Sequence, residues 1–212
     1  MKVLLQAVLL ALGAGFAAAR VFAQDQPPAA PAEPAASSPT KVFAGAGLGG
    51  GFGARYKVNG TTITFDDRLQ GAPDKGSLVA VNVASFGIAL RPGLYAGFDL
   101  GGFGQGGTVA GDKTFIEVIN YFGALTWFPW ESGLYLRAGA GLSSLLIRQG
   151  SQSDHANGLG FLVAAGYALQ LSGSHHLTFT VEQSWQSYGG SSATKPDSSQ
   201  VGGVFIGYMW KP

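Results

Sequence analysis

The 212-residue sequence has no cysteine and few charged side chains. The missing cysteine excludes disulfide bonds, thiol catalysis, thiolate metal ligands and a lipid anchor attached to cysteine. Charged residues make up 12% of the chain, about half the share usual in soluble globular proteins. With 34 glycines and a positive mean hydropathy, this composition indicates a membrane protein held together by backbone pairing and packing.

Long hydrophobic runs are also missing after the first 25 residues. The longest uncharged segment is 156–174, and its apolar core, from Leu159 to Leu171, is shorter than the roughly 20 residues that a transmembrane helix needs. Within it large apolar residues occupy the odd-numbered positions and glycines mostly the even-numbered ones. This alternation with a period of two predicts a strand and not a helix.

The N-terminal region predicts export. Residues 1–23 have a basic start at Lys2, an apolar run and small residues before a cleavage site, as in a secretory signal peptide. An uncleaved membrane anchor is the alternative. Residues 24–40 are rich in Pro and Ala and predict an extended periplasmic tether, either a plain spacer or one that reaches a partner.

Net charge excludes one class of partner. Two of the 13 basic residues, Lys2 and Arg20, leave with the signal peptide, so 11 remain against 12 acidic ones. A chain near neutrality lacks the basic surface that nucleic-acid binding requires.

The clearest two-faced segment is Gly133 to Ile147. Leucines and alanines occupy the even positions except Ser144, whereas the odd ones from 135 to 143 carry glycines, Tyr135, Ser143 and a single arginine, Arg137. A soluble strand would fill its polar face with Lys, Glu and Thr. The pattern therefore predicts an aliphatic face against lipid and a glycine-rich face inside a narrow closed barrel.

Residues 41–212 contain eight such segments and predict an all-β, eight-stranded antiparallel up-and-down transmembrane β-barrel. The expected strands are Val42–Tyr56, Leu78–Arg91 with a bulge near Asn82, Leu94–Gly101, Thr114–Phe128, Gly133–Ile147, Gly158–Leu171, His176–Tyr188 and Gln200–Trp210. Short turns alternate with longer polar loops expected at 57–77, 102–113, 148–157 and 187–199, as in a barrel with periplasmic turns and external loops.

Aromatic residues fall where two membrane interfaces would lie. Rings with a polar edge favour headgroup depth, so two girdles are expected. The predicted girdle residues are Trp127, Trp130, Tyr208 and Trp210 at the periplasmic rim and Tyr56 and Trp185 at the outer rim.

The alternating turns, the eight strands and a last strand that ends in Tyr208-Met209-Trp210 resemble the small eight-stranded outer membrane barrels, the outer membrane protein A-like and X-like family. The resemblance covers residues 41–210 and is architectural. It implies residence in the cell outer membrane of a Gram-negative bacterium and assembly by the barrel insertion machinery. Lys211 and Pro212 displace the terminal aromatic signal by two residues.

Charged residues on the predicted inner face suggest a plug. Asp99, Arg137 and Glu182 project inward on three strands, and an eight-stranded lumen is narrow enough for them to meet. Because buried charges need partners, we expect an inner network of these three residues, joined by Arg55 or Arg91.

The resulting expectation is a monomeric outer membrane barrel with a structural or surface-interaction role, in contact with the bilayer and lipopolysaccharide. The alternative is a narrow porin or a conduit for hydrophobic solutes. A lipid A-modifying enzyme is the third hypothesis, and it requires a serine, a histidine and a carboxylate together. The histidines His155, His175 and His176 are scattered, so no catalytic residue, metal site or cofactor is predicted.

Overall fold

The computed structural model describes residues 41–129, 133–189 and 195–212. The predicted signal peptide, the predicted tether and Trp130 lie outside the described residues. Within those three ranges, no helix is long and apolar enough to cross a bilayer.

The described chain forms one closed antiparallel sheet with a single short helix. Its elements are β1 (Val42–Val58), β2 (Thr61–Thr64), α1 (Phe65–Arg68), β3 (Val79–Arg91), β4 (Leu94–Val109), β5 (Asp112–Trp127), β6 (Leu134–Gln149), β7 (Gln152–Ser172), β8 (His175–Tyr188) and β9 (Ser198–Trp210). Each long strand pairs with its sequence neighbour, and β1 pairs with β9 from Ala44↔Trp210 to Lys57↔Ser198. The predicted all-β, eight-stranded barrel is confirmed, with β2 as a short addition paired only to β1.

Side chains alternate between the two faces of the barrel wall as the sequence period requires. On β6, Leu136 and Leu142 are 44% and 63% exposed, whereas the intervening Tyr135, Arg137 and Ser143 are buried. Apolar side chains thus form an outward-facing band, which we call the outer band. It includes Leu48, Phe86, Leu125, Leu159, Val163, Phe179, Val181, Val204 and Ile206. A wall with its apolar side chains outside and its polar ones inside is typical of a transmembrane barrel.

The two ends of the barrel differ in how the strands are joined. The terminal rim holds the start of β1, the end of β9 and the tight turns after Arg91 and Ser172. The β5–β6 connection after Trp127 lies at this rim too. The opposite end, which we call the loop rim, holds β2 and α1, the β4–β5 and β6–β7 turns and the described ends of the β8–β9 connection. Two of the four predicted long loops are wrong, because 102–113 and 148–157 form hairpins with two-residue turns at Ala110-Gly111 and Gly150-Ser151. Backbone pairing continues past the point where side chains become polar, so polarity marks the edge of the outer band and not the end of a strand.

A β-bulge in β1 overturns two orientations expected from the sequence. Phe52 pairs with Gly202 and Arg55 with Gln200, so three steps along β1 match two along β9. Gly53, with φ +62°, accommodates the extra residue. The parity of β1 is therefore reversed beyond it. Tyr56, predicted in the outer girdle, is buried inside, and Arg55, predicted in the lumen, is exposed outside. The bulge predicted near Asn82 is present as a register shift between β3 and β4.

Residues 65–78, which we call the cap, fold back over the loop rim. Thr64 begins α1 with a capping box, since its hydroxyl accepts the Asp67 amide and its own amide donates to the Asp67 carboxylate. Phe65 and Leu69, each 1% exposed, are buried in the barrel core. Polar contacts tie the cap to β4, where the Thr108 amide and hydroxyl donate to Asp74 at 2.6 and 2.7 Å.

Candidate functional site

The lumen is filled by three layers of side chains. Near the terminal rim, Phe43, Tyr95, Phe128, Tyr135 and Met209 form an apolar cluster. A polar layer follows, and above it an apolar core reaches the cap. That core includes Phe103, Ile116, Val118, Leu145, Val201 and Phe205. The filling follows from size, because eight strands enclose a space just wide enough for side chains.

The polar layer centres on a buried ion pair between Arg137 and Asp99, whose side chains are each 5% exposed. Ser85 accepts from the guanidinium at 2.9 Å and donates to Asp99 at 2.9 Å. The Asn82 amide donates to the same carboxylate at 2.7 Å, and Thr126 accepts from Arg137 Nε at 3.2 Å. These partners come from β3, β4, β5 and β6, so the network ties half of the barrel wall together across the lumen.

Glu182 reaches the same layer from β8 but does not join the network. Its side chain is buried, yet no hydrogen bond or salt bridge within 4.0 Å links it to another described residue. It borders a cavity of about 30 Å³, together with Arg137, Tyr135 and Thr180. That volume is enough for one or two water molecules, which would satisfy the carboxylate.

The remaining predicted network members lie elsewhere. Arg91 is exposed at the turn of the terminal rim, because it is the last residue of β3 and lies beyond the enclosed lumen. Arg55 donates to Gln200 at 3.0 Å on the outer side of the loop rim. The expectation that either arginine joins the inner charges is therefore wrong.

A second polar chain in the lumen was not predicted. Gln186 donates to Ser184 at 2.9 Å and accepts from Ser199 at 2.6 Å, and Tyr188 contacts Ser199 at 2.6 Å. Ser143 and Asn120 form a neighbouring pair at 2.8 Å. The inward alternation of polar residues on β8 was the available signal, but pairing with β9 was needed to show that they meet.

Most of the predicted girdle residues lie on the outer wall. Trp127, Tyr208 and Trp210 are 38–46% exposed toward the terminal rim. Trp185 lies on the loop-rim side and stacks on Phe161, with ring centroids 4.8 Å apart. Tyr56 is the exception, inside the barrel with its ring packed against Phe65.

The three histidines lie apart, as expected, but His155 is on a strand and not in the loop expected at 148–157. His155 lies on β7, and its Nε2 is 2.8 Å from the Ser144 hydroxyl on the outer wall. A two-residue turn at Gly150-Ser151 would have revealed this pairing from sequence. No carboxylate among the described residues hydrogen-bonds His155, and these residues contain no cluster of His, Asp and Glu able to hold a metal ion.

A closed eight-stranded sheet with an apolar exterior and a filled interior defines the small transmembrane barrels, and the chain has the fold of the eight-stranded outer membrane barrels. Among solved structures, it is similar to Ail, the attachment invasion locus protein of Yersinia pestis, solved with the heparin analogue sucrose octasulfate. The identity is 11%, over 82% of this chain and 99% of Ail, with a TM-score of 0.51.

Two further similarities are weaker. Neisserial surface protein A matches with 13% identity over 82% of this chain and 98% of its own, at a TM-score of 0.49. The outer membrane protein OprG from Pseudomonas aeruginosa matches with 15% identity over 82% and 95%, at a TM-score of 0.42. No protein-family model matches the sequence, and a comparison with curated proteins gives no match.

Proposed function

We propose that the chain is a monomeric integral protein of the outer membrane of a Gram-negative cell, with a closed lumen and a structural or surface-interaction role. The observation that supports the proposal is the combination of the outer band with layers of buried side chains inside the barrel. A barrel closed in this way would act through its rims and its wall, because solutes would have no continuous path through it. The predicted signal peptide and tether are part of the same proposal.

Orientation follows from the two rims. Both described ends of the chain lie at the terminal rim, which we assign to the periplasm, where the tether would begin. The loop rim, with the cap and the strand extensions, then faces the exterior. Surface contacts of the protein would be made there.

Conductance tests the closed lumen. We expect the purified barrel, inserted in planar bilayers, to give no steady open channel. A large steady conductance of the unaltered protein would contradict the proposal.

The alternative, a conduit for hydrophobic solutes, is favoured by one observation. The main ladder between β1 and β3 ends at Gly50↔Val79, and a recess of about 530 Å³ opens beside it at the loop rim. Phe52, Phe65 and Leu78 line it together with Asp66 and Lys75. Uptake of an apolar fluorophore into proteoliposomes, above the rate in empty liposomes, would support this alternative.

Turnover is not part of the proposal, although the Ser144–His155 pair gives the third hypothesis a definite location. A serine hydrolase also needs a group that orients the histidine, and neither histidine nitrogen is bonded to a carboxylate in the described chain. Mass spectrometry of lipid A from cells with the protein, without it and with Ser144→Ala decides the matter. A change of acylation that depends on Ser144 would replace the proposal with the enzymatic function.

A further inference from the structure

The outer wall carries two cations directly above the outer band. Beyond the bulge at Gly53, Arg55 and Lys57 share the outward parity, and both are exposed. Arg55 pairs with Gln200, and Lys57 with Ser198, on the neighbouring strand β9. Just below them, on the same face of β1, Phe52 is 48% exposed. The two charges therefore lie where the lipid-facing surface becomes polar.

A groove of about 290 Å³ brings other groups beside these cations. Its lining includes Arg55, Lys57, Thr62, Trp185 and Gln200. None of the described lining residues is acidic, and neither cation takes part in an ion pair within 4.0 Å among the described residues. Asp197 lies next to Lys57, but the contact runs from its backbone amide to the Lys57 carbonyl at 2.8 Å. Arg55 donates from one guanidinium nitrogen to Gln200, which holds the side chain in place, and no other hydrogen bond of its guanidinium is made to a described residue.

The chemistry of this groove suits a phosphate at headgroup depth. A guanidinium presents paired donors that match phosphate oxygens, and an adjacent ammonium adds a point charge. The Trp185 indole, stacked on Phe161, is a side chain that prefers the boundary between acyl chains and headgroups. Apolar neighbours below and cations above would together bind a molecule that has acyl chains and a phosphorylated head.

We propose that the groove formed by Arg55, Lys57, Trp185 and Gln200 binds a phosphate group of a phosphorylated glycolipid in the outer leaflet. This inference rests on the proposed function, because it requires the loop rim to face the exterior. It adds a defined ligand class and site to the surface role. The bulge at Gly53 is what creates the site, since it turns Arg55 and Lys57 from the lumen toward the lipid.

Native mass spectrometry of the full-length mature protein in detergent tests the site. The probes are diphosphoryl lipid A and a dephosphorylated lipid with the same acyl chains. We expect the unaltered protein to retain diphosphoryl lipid A in preference to the dephosphorylated lipid. Arg55→Gln with Lys57→Gln should weaken retention by about 25-fold, taking roughly fivefold for each cation near a membrane surface.

A matched control uses the opposite side of the same rim. Lys113→Gln with Arg148→Gln removes the same charge from the β5–β6 wall, where both side chains are exposed. This control should retain lipid A almost as well as the unaltered protein. Equal losses in both double variants would show diffuse attraction to the rim and overturn the site. Competition by inorganic phosphate at constant ionic strength would show a free-phosphate site and overturn the lipid assignment.

Membrane insertion separates the two proposals. Each variant is first run unboiled and boiled on a gel and reconstituted in vesicles. If the unaltered protein does not enter vesicles as a compact species, the proposed function fails and the site with it. If it enters but binds both lipids equally, the groove inference alone is wrong.

Discussion

At the residue scale, the two buried carboxylates of the lumen have different surroundings. Asp99 accepts hydrogen bonds from Asn82 and Ser85 and pairs with Arg137, whereas Glu182 has no such partner in the described chain. Replacing the carboxylate by an amide is therefore expected to affect stability differently at the two positions. Removing one member of a buried pair leaves the other charge unpaired, which is far more costly than removing a charge that has no partner.

Asp99→Asn is expected to lower the free energy of unfolding by about 3 kcal/mol, because Arg137 loses its counter-ion inside the lumen. Glu182→Gln should leave stability within about 0.5 kcal/mol or increase it, since an amide is less costly to bury than a charge. Urea unfolding in lipid vesicles, followed by tryptophan fluorescence, measures both. Equal losses would mean that Glu182 also pairs with Arg137.

The cap gives a pH-dependent expectation at a single residue. Hydrogen bonds from the Thr108 hydroxyl and amide lower the pKa of Asp74 below its ordinary value of 3.8. A carboxyl with a lowered pKa in the folded state stabilises the fold above its unfolded pKa, and that contribution is lost as the pH falls through the folded value. The contact should therefore hold at neutral pH and loosen below 3.8.

The amide chemical shift of Thr108, recorded by NMR in detergent micelles between about pH 7 and pH 2, follows this titration. We expect one transition with a midpoint below 3.8. Asp74→Asn should abolish the transition. A midpoint above the ordinary value would show that the carboxylate is not the hydrogen-bond acceptor at this position.

At the element scale, closure of the barrel depends on close approach between β1 and β9. A Cβ at Gly49 would lie 1.8 Å from the carbonyl oxygen of Val204, which is a backbone atom and cannot rotate away. At Gly123, on β5, the nearest atom to an added Cβ is 3.8 Å away. Glycine is therefore required at Gly49 on the closing seam, whereas position 123 has room for a methyl group.

Gly49→Ala should destabilise the barrel by at least about 2 kcal/mol, the scale of an overpacked interior, and reduce the compact fraction on an unboiled gel. Gly123→Ala should leave stability unchanged or raise it by about 0.5 kcal/mol, since alanine loses less backbone entropy on folding. Refolding yield and urea midpoints of the two variants, measured side by side, decide this. Equal behaviour would argue against pairing of β1 with β9 in the observed register.

At the scale of the whole molecule, the outer band decides how the protein behaves in solution. Large apolar side chains exposed around the wall cannot face water as a monomer, so detergent or lipid must cover them. We expect the purified barrel to be monodisperse in detergent, to aggregate on its removal and to change gel mobility on boiling. Monodisperse behaviour in plain buffer, measured by light scattering, would reverse the assignment of the two faces.

Local alternation determined the fold class and most side-chain orientations, because a period of two assigns faces without reference to any other strand. Alternation alone was enough to predict the opposed faces of β6, with Leu136 outside and Arg137 inside. It was also enough to predict the number of long strands. Some predicted strands were shorter than the observed ones, because the paired backbone continues into segments with polar side chains. The strand predicted to end at Gly101, for example, continues to Val109 as β4. Polarity reports the solvent around a side chain and not the hydrogen bonds of its backbone.

Only the tertiary structure decided which of these residues meet. The bulge at Gly53 reversed the directions of the Tyr56 and Arg55 side chains. The stagger of the strands placed Asp99, but not Glu182, within ion-pair distance of Arg137. The fold of residues 65–78 over the loop rim likewise depends on contacts with a distant strand. Faces are a property of one strand, whereas register and contact across the lumen arise from closing all eight strands together.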